Sequence, residues 1–569
     1  MTSKSRLFSS AGFVLVGLLL AVGWLATLSS SRPAMAQAGT RVIRVAPTGS
    51  DVSGCGSADG PCRSVQFAVD QAAPADEIRI ASGVYTDVHT IPSLSADWVT
   101  ATQVVGIGKD LTLRGGYSSV DWTAPHPITQ PSTLDAHGQG RVLLIRGPCT
   151  VTLEGLRIAG GDATGLCGRS GMPAGGGAYI CTATVAISGC QIYSNTALTP
   201  RDTAWTGYGG GVYMQGSRAT LQDNLFSSNA ASRRGHGWGG ALYLEACSAS
   251  VLVGNVITGN LGSASANGRG GGVCLQNSER VTLSGNTLEG NVGTGGPDYQ
   301  GGGLAVYNCN YFTLSDNDFF RNTAGGGYSR GGGLYVNGGH HITLTGNLFE
   351  ANLASRNRGW GGGAYVLPRG NLTLDRNVFR QNVGNSNPSN LSWGGGLYLA
   401  GQLPITLTNN AFVSNQAYGA GSGVYVEQTT TLFRYTTFTK NSGGDGSALC
   451  ITGSLGVAQM VNTIFAGNGV GITATAGASA TLEHTLWDAN DTNPGDNVVH
   501  SNDVSGNSAF AADGYHLTYQ SAALSRGLDI GVNTDIDGQR RPVGSGPDLG
   551  ADEYVAMVFL PLLLRSAGP

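Results

Sequence analysis

The sequence predicts an all-β repeat protein, a β-solenoid, and three observations carry that expectation. A phrase of three glycines, a short apolar run, a Thr-Leu strand, Asn-x-Phe and a closing Asn returns along the middle of the chain, most fully at residues 331–354. The closing Asn falls at Asn195, Asn229, Asn260, Asn291, Asn322, Asn352, Asn382, Asn415, Asn441 and Asn468, in steps of 26 to 34 residues that gather near 30. That period marks a stacked array. Each unit holds two or three short β-runs and no helical pattern, which suits one coil of a solenoid. Finally, 91 glycines and only 12% charged residues in a chain of 569, with Val, Ile, Leu and Thr runs, fit neither a helical nor a disordered protein.

Within a unit, Ile342-Thr343-Leu344-Thr345 alternates apolar and polar residues, so one face points inward. Coils stacked about 4.8 Å apart bring equivalent side chains into ladders. A corner Asn then hydrogen-bonds backbone groups that the turn leaves unpaired, so the Asn positions are read as structural. The glycine triplet allows a positive-φ turn and close backbone approach where a coil begins.

Taken in order, residues 1–36 read as an export signal. Lys4 and Arg6 precede the apolar run Phe13 to Leu28, and Ala34-Met35-Ala36 is a small-x-small cleavage site. An uncleaved anchor is the alternative; after cleavage no membrane span is expected. Export to the cell surface or medium makes the ten cysteines potential disulfides. Cys55 and Cys62 bracket a Gly-rich loop and form the expected pair, with Cys149–Cys181 a second candidate. Cys247 and Cys309 lie two coils apart, about 9.6 Å and too far to bond. No CxxC appears, which argues against zinc.

Residues 41–100 read as an N-terminal cap and first coil, with Ser64 N-capping a short helix through about Ala73. Residues 101–487 form the solenoid, with the tightest repeats at 175–441. The repeat is lost in 488–554, a compact terminal region, and 555–569 is an apolar tail too short to span a bilayer. The formal charge of −4 gives no general attraction for nucleic acid, though Arg-containing loops can attract an acidic ligand locally. A monomer is expected.

Arg44-Val45-Ala46-Pro47-Thr48-Gly49-Ser50-Asp51 with Asp76 to Tyr85 resembles the opening of the pectin-lyase-like right-handed parallel β-helix superfamily. The Gly-Gly-Gly and Phe-x-x-Asn phrases look like polymorphic outer-membrane-protein repeats. Residues 515–554, with Asp535-Ile536-Asp537-Gly538-Gln539-Arg540-Arg541-Pro542 and Pro547 to Tyr554, are similar to the choice-of-anchor Q domain. These resemblances imply the handed solenoid and a secreted or surface location. They imply little about activity, because the superfamily includes lyases, hydrolases, epimerases and proteins without known catalysis.

Before successive glycine triplets stand Tyr208, Trp238, Arg269, Gln300, Arg330, Trp360 and Trp393, with Trp205 nearby. Stacked coils would make these a stripe on which rings stack on sugars and Arg pairs with carboxylates or sulfates; the alternative is a ladder that only packs loops together. Gly235-His236-Gly237 resembles the Gly-His-Gly of polygalacturonase-type glycosidases, but the paired carboxylates such an enzyme needs are missing from the preceding coils, so His236 is expected in a solvent-exposed loop. Asp316 and Asp318 flank Asn317 and in a strand would share a face; with Arg321 they are a weak lyase or calcium candidate. Asn533-x-Asp535-x-Asp537-Gly538 has the first half of a calcium-loop spacing, yet Gly544 stands where the bidentate acid belongs, so no cofactor is expected and calcium stays open. The expectation is a non-catalytic surface or extracellular protein presenting a face to a polysaccharide or cell-surface glycan. A polysaccharide lyase or glycoside hydrolase acting on an acidic polysaccharide, and a purely structural surface protein, are the alternatives.

Overall fold

A computed structural model describes residues 40–92, 100–166, 168–200, 205–294, 296, 298–495 and 497–556. The expected export signal at 1–36 and nearly all of the apolar tail lie outside the described residues. From Val42 onward the chain winds a parallel β-solenoid of about 13 turns. One coil comprises Leu334–Asn337, Ile342–Thr345, Leu348–Glu350, Leu353–Ser355 and Arg358–Trp360. Equivalent strands pair in parallel and in register: Leu344 faces Leu314 and Leu374, and Phe349 faces Phe319 and Phe379. The described strands form four sheets of 29, 15, 7 and 6 strands, the smallest running from Thr206–Tyr208 to Arg358–Trp360.

The period-two pattern places Leu334, Val336, Ile342, Leu344, Phe349 and Ala354 inside, each at most 1% exposed. The Phe of the Asn-x-Phe phrase builds an axial stack: Phe319, Phe349, Phe379, Phe412, Phe438 and Phe465 sit 4.6–5.1 Å apart and end on Trp487. Burying each ring stabilises by roughly 2–3 kcal/mol.

Every closing Asn is buried and hydrogen-bonds to the neighbouring coils on both sides, and Asn260 adds a bond to Thr258 O of its own coil. The Oδ1 of Asn322 accepts from the backbone N–H of Asn291 and from its Nδ2, both at 3.0 Å. The Nδ2 of Asn322 donates to Leu288 O at 2.7 Å and to Asn352 Oδ1. A second ladder runs five residues earlier through Asn224, Asn255, Asn286, Asn317, Asn347, Asn377 and Asn410. It is the first Asn of the Asn-x-Phe phrase and turns a second corner. The residue before each Asn is left-handed, as at Gly346 (φ 66), Ala351 (φ 54), Asp316 (φ 55) and Arg321 (φ 50). In the triplet, Gly331 has φ 67, and a Cβ on Gly332 would lie 2.3 Å from Gly362 O, so the backbones of successive coils leave no room for a side chain.

At the N-terminal end the helix Val65–Gln71 starts at Ser64, whose side chain accepts from Phe67 N, and Val65, Ala68 and Val69 close the core. Cys55 and Cys62 form the disulfide. Cys149 and Cys181 are free, contrary to the second pairing. Cys181 is in register with Arg146, and Thr184 with Thr150, so the two cysteines do not face each other. Cys247 and Cys309 are also free, with Ser278 between them in the column.

Residues 506–556 leave the stack and run back over the outer face of the largest sheet. Ile536 and Ala551 cover Ala411 and Val413, while Leu517, Ala523 and Leu549 cover Ile464, Ala466 and Leu486. Tyr435 OH and Asn462 Nδ2 both donate to Leu528 O, and Asn409 Nδ2 donates to Thr534 O. Among the described residues, no helix is long and apolar enough to cross a membrane.

Asn322→Ala strands the Asn291 amide donors and the Leu288 carbonyl in a buried corner. It is expected to cost about 3 kcal/mol or more, because each buried group left unpaired costs roughly 1–3 kcal/mol. Urea unfolding measures this; the outward-facing control Thr343→Ala should shift stability by no more than ~0.5 kcal/mol.

Candidate functional site

The residues before the glycine triplets form one column of the smallest sheet. Tyr208, Trp238, Arg269, Gln300, Arg330 and Trp360 are consecutive register partners, and Trp393 bridges to Trp360. Because the triplets carry no side chains, this column lies beside a tyrosine column on the 15-stranded sheet. Tyr179, Tyr213 and Tyr243 stack at 5.1 and 5.5 Å, and Tyr335, Tyr365, Tyr398 and Tyr425 at 4.8–5.3 Å. Cys274 and Ala305 interrupt that column. In these coils a groove of about 350 Å³ opens, lined by His236, Trp238, Asn267, Arg269, Gln300 and Arg330.

The rings do not offer their faces as sequence reasoning expected. Trp360 stacks on Trp393 at 5.5 Å and on Tyr328 at 6.3 Å, and Trp238 is covered by the Arg269 guanidinium at 4.4 Å and the Tyr208 ring at 4.9 Å. Strand spacing forces this: equivalent rings repeat along the axis and stack on each other, which leaves their edges outward. Tyr208 is only 6% exposed and belongs to the packing under the stripe, whereas Trp205 is 66% exposed at its near end. The outward donors are guanidinium edges. Arg269 lies flat between Trp238 and Tyr307, 4.4 and 4.8 Å from their ring centres. Arg330 lies over Trp360 at 5.1 Å and Tyr365 at 5.9 Å. Neither has a carboxylate partner among the described side chains.

The carboxylate of Glu245, under the stripe's first coils, is already engaged. Arg169 reaches across from an earlier coil to Glu245, with Nε donating to Oε2 at 2.6 Å, and Tyr213 OH donates to the same oxygen at 2.9 Å. Burial alone would raise Glu245, but hydrogen bonds from Arg169 and Tyr213 outweigh it and hold the carboxyl below its usual range. Burial pushes the Tyr213 phenol far up.

His236 is not in a loose loop. It opens the strand His236–Trp238, its backbone N–H donates to Trp205 O, and its Nδ1 accepts from Asn267 N at 3.1 Å. The lining residue Asn267 was missed by sequence reasoning. A signal existed, because a residue-small-residue triplet repeats before the glycines as His236-Gly-Trp, Asn267-Gly-Arg and Arg358-Gly-Trp. Asp316 and Asp318 do not share a face. Asp316 is the left-handed corner residue, and Asp318 begins a strand of the largest sheet, away from the sheet of His236. Burial, then the Glu350 charge, raises the Asp318 carboxyl. Arg321 pairs with Glu289 instead.

The calcium-like spacing near the C-terminus is used otherwise. Asp535 is buried, and its carboxylate accepts from the backbone N–H of Asp537, Gln539 and Glu553. Asn533 is exposed, and Asp537 turns to His516, with Oδ2 2.7 Å from Nε2. Asp513 binds the other ring nitrogen. His516, Asp537 and Asp552 place ligand atoms within 4.8 Å of one another, and both ring nitrogens are engaged by carboxylates. The hydrogen bond to Asp537 outweighs burial and raises His516 to about 9, while burial raises Asp552 to about 6. Nearby, Arg541 and Glu553 form a buried pair at 3.3 Å, with the guanidinium 4.0 Å over the Tyr435 ring.

A family model described as the right handed beta helix region matches residues 135–297 and 267–444. No curated protein matches the chain in sequence. Among solved structures, a pectate lyase is 11% identical with a TM-score of 0.31, covering 90% of this chain and 96% of that one. The catalytic unit of a thermostable α-1,3-glucanase from Streptomyces thermodiastaticus is 13% identical, with a TM-score of 0.33 and coverage of 83% and 69%. A tailspike protein of E. coli bacteriophage HK620 in complex with a pentasaccharide is 13% identical, with a TM-score of 0.32 and coverage of 78% and 79%. At these identities the likeness concerns the fold alone.

A raised histidine pKa means that the proton stabilises the folded state. The His516 contribution is complete below about pH 6.5, the unfolded value, and is lost as pH rises through about 9. Protection of the 506–556 amides, taken as the observed exchange rate against the base-catalysed intrinsic rate at each pH, is expected to fall over that interval. In His516→Gln the fall in protection between pH 6.5 and 9 should disappear; a fall as large as that of the wild type would remove the histidine from this role.

Proposed function

The chain belongs to the right-handed β-helix family, and from that premise we propose that it is an exported, non-catalytic surface or extracellular protein that holds an acidic polysaccharide along its basic-aromatic stripe. The observation that carries this reading is the pair Arg269 and Arg330. Each sits over aromatic rings and lines the groove, with no described carboxylate to neutralise it. A guanidinium held this way is pre-organised for bidentate contact with a carboxylate or sulfate. Arg233, Arg234 and Arg356 are exposed and add positive charge to the same side of the coils. In a chain of formal charge −4, this basic patch favours a polyanion locally.

Other parts of the proposal rest on sequence resemblance. Residues 1–36 serve as the export signal, the central repeats are outer-membrane-protein-like, and 488–554 is a choice-of-anchor Q-like region. The described side chains of the groove include no paired carboxylates for general acid and base work.

Arg269→Ala with Arg330→Ala is expected to weaken retention of acidic polysaccharide in affinity electrophoresis at least tenfold. Two lost charge-assisted contacts, at roughly 1.5–3 kcal/mol each, exceed the 1.4 kcal/mol that corresponds to a factor of ten. The far-ultraviolet circular dichroism should stay β-rich. The wild-type protein should leave polymer chain lengths unchanged after prolonged incubation, with or without calcium. Shortened chains would establish an enzyme in place of a binding protein, and absence of retention across acidic and neutral polymers would leave a purely structural solenoid.

A further inference from the structure

The stripe has a charge rhythm that the solenoid imposes on any polymer lying along it. Arg269 and Arg330 occupy alternate coils of one column, and Gln300 occupies the coil between. With strands about 4.8 Å apart, the backbone positions that carry the two arginines step by about 9.6 Å. Neither can drift far from its coil, because Arg269 is clamped between Trp238 and Tyr307, and Arg330 rests on Trp360 and Tyr365. Gln300 is tied to the Tyr307 hydroxyl, so this column presents a neutral amide between the two arginines. Beyond the two arginines stand Trp238 on one side and Trp360 and Trp393 on the other, which makes the column read Trp-Arg-Gln-Arg-Trp along the axis.

A sugar residue in an extended chain rises by close to one coil. A polymer carrying an acid on every sugar therefore sets every second charge against Gln300, where no cation compensates its loss of water. A polymer carrying one acid per disaccharide sets each charge against an arginine and each neutral sugar against the amide. Matching of this kind discriminates through the penalty on the wrong partner as much as through attraction to the right one.

Resting on the acidic-polysaccharide reading above, we propose that the ligand class is an alternating polyanion, with one carboxylate or sulfate per disaccharide, bound parallel to the solenoid axis. Asn267 and His236 border the first arginine, and they supply hydrogen-bonding groups for the neutral sugar or its substituent.

The test compares two size-matched probes by isothermal titration, hyaluronan oligomers with one acid per disaccharide and oligogalacturonate with one acid per sugar. Wild-type protein is expected to bind hyaluronan oligomers at least tenfold more tightly, and Arg269→Ala with Arg330→Ala should abolish the difference. Gln300→Arg places cations on three consecutive coils and should shift the preference toward oligogalacturonate. Oligogalacturonate binding as tightly as hyaluronan to the wild type, with both weakened by loss of the arginines, would overturn the alternating rhythm and leave the acidic-glycan reading standing. Binding of neither probe, or binding indifferent to both arginines, would overturn the two together. An unmoved preference in a folded Gln300→Arg variant would also count against the rhythm.

Discussion

The buried asparagine amide is the constraint on which the solenoid depends. An Asn side chain excluded from water must place its donors and acceptor on partners, and here its amide-to-amide partners lie one coil away in each direction. Asn322 binds Asn291 on one side and Asn352 on the other, and closes its last donor on Leu288 O. A coil that gained or lost a residue at its corners would break two such networks at once, because a second ladder through Asn317 and Asn347 turns the adjacent corner. The ladders therefore hold register, and register brings every other like-for-like contact with it. Phe349 stacks between Phe319 and Phe379 for that reason.

The same register governs what the outside can do. Rings repeated in a column at strand spacing stack on each other, so Trp360 gives its faces to Tyr328 and Trp393. A surface that looks in one dimension like a set of sugar-stacking platforms is in three dimensions a self-packed ladder. On the binding reading proposed above, specificity falls to the polar groups of Arg269, Gln300 and Arg330. The groove lies in the coils where Cys274 and Ala305 interrupt the neighbouring tyrosine column, and Tyr307 packs against that interruption under Arg269.

The segment 506–556 solves a different problem. Near the end the outward positions include Ala411, Ile464 and Leu486, and Val413 stands where the preceding coils have Glu350 and Arg380, an apolar face that water would penalise. The returning chain covers it, and it has too little apolar surface of its own to form an independent core. Its interior is instead organised by charges: Arg541 against Glu553, Asp535 on three backbone N–H groups, and His516 between Asp513 and Asp537. The buried members of this set, Arg541, Glu553 and Asp535, are each costly to leave without these partners.

Much of this was legible in the residues. The solenoid, its period, the closing Asn positions, the Cys55–Cys62 bridge, the Ser64 cap and the membership of the stripe all follow from local pattern, because a repeat writes its nearest spatial neighbours into the chain at a fixed spacing. What only the tertiary structure decided lies where that spacing fails or where side-chain direction matters. Arg169 meets Glu245 across 76 residues through a non-repeating segment. Asp316 and Asp318 part because the residue before each ladder Asn is left-handed, which takes Asp316 out of the strand. The candidate calcium oxygens of Asp535 and Asp537 separate because one carboxylate closes a turn and the other faces His516. A one-dimensional pattern gives the partners of a residue along the stack, but the direction of its functional edge depends on what the stack has already covered.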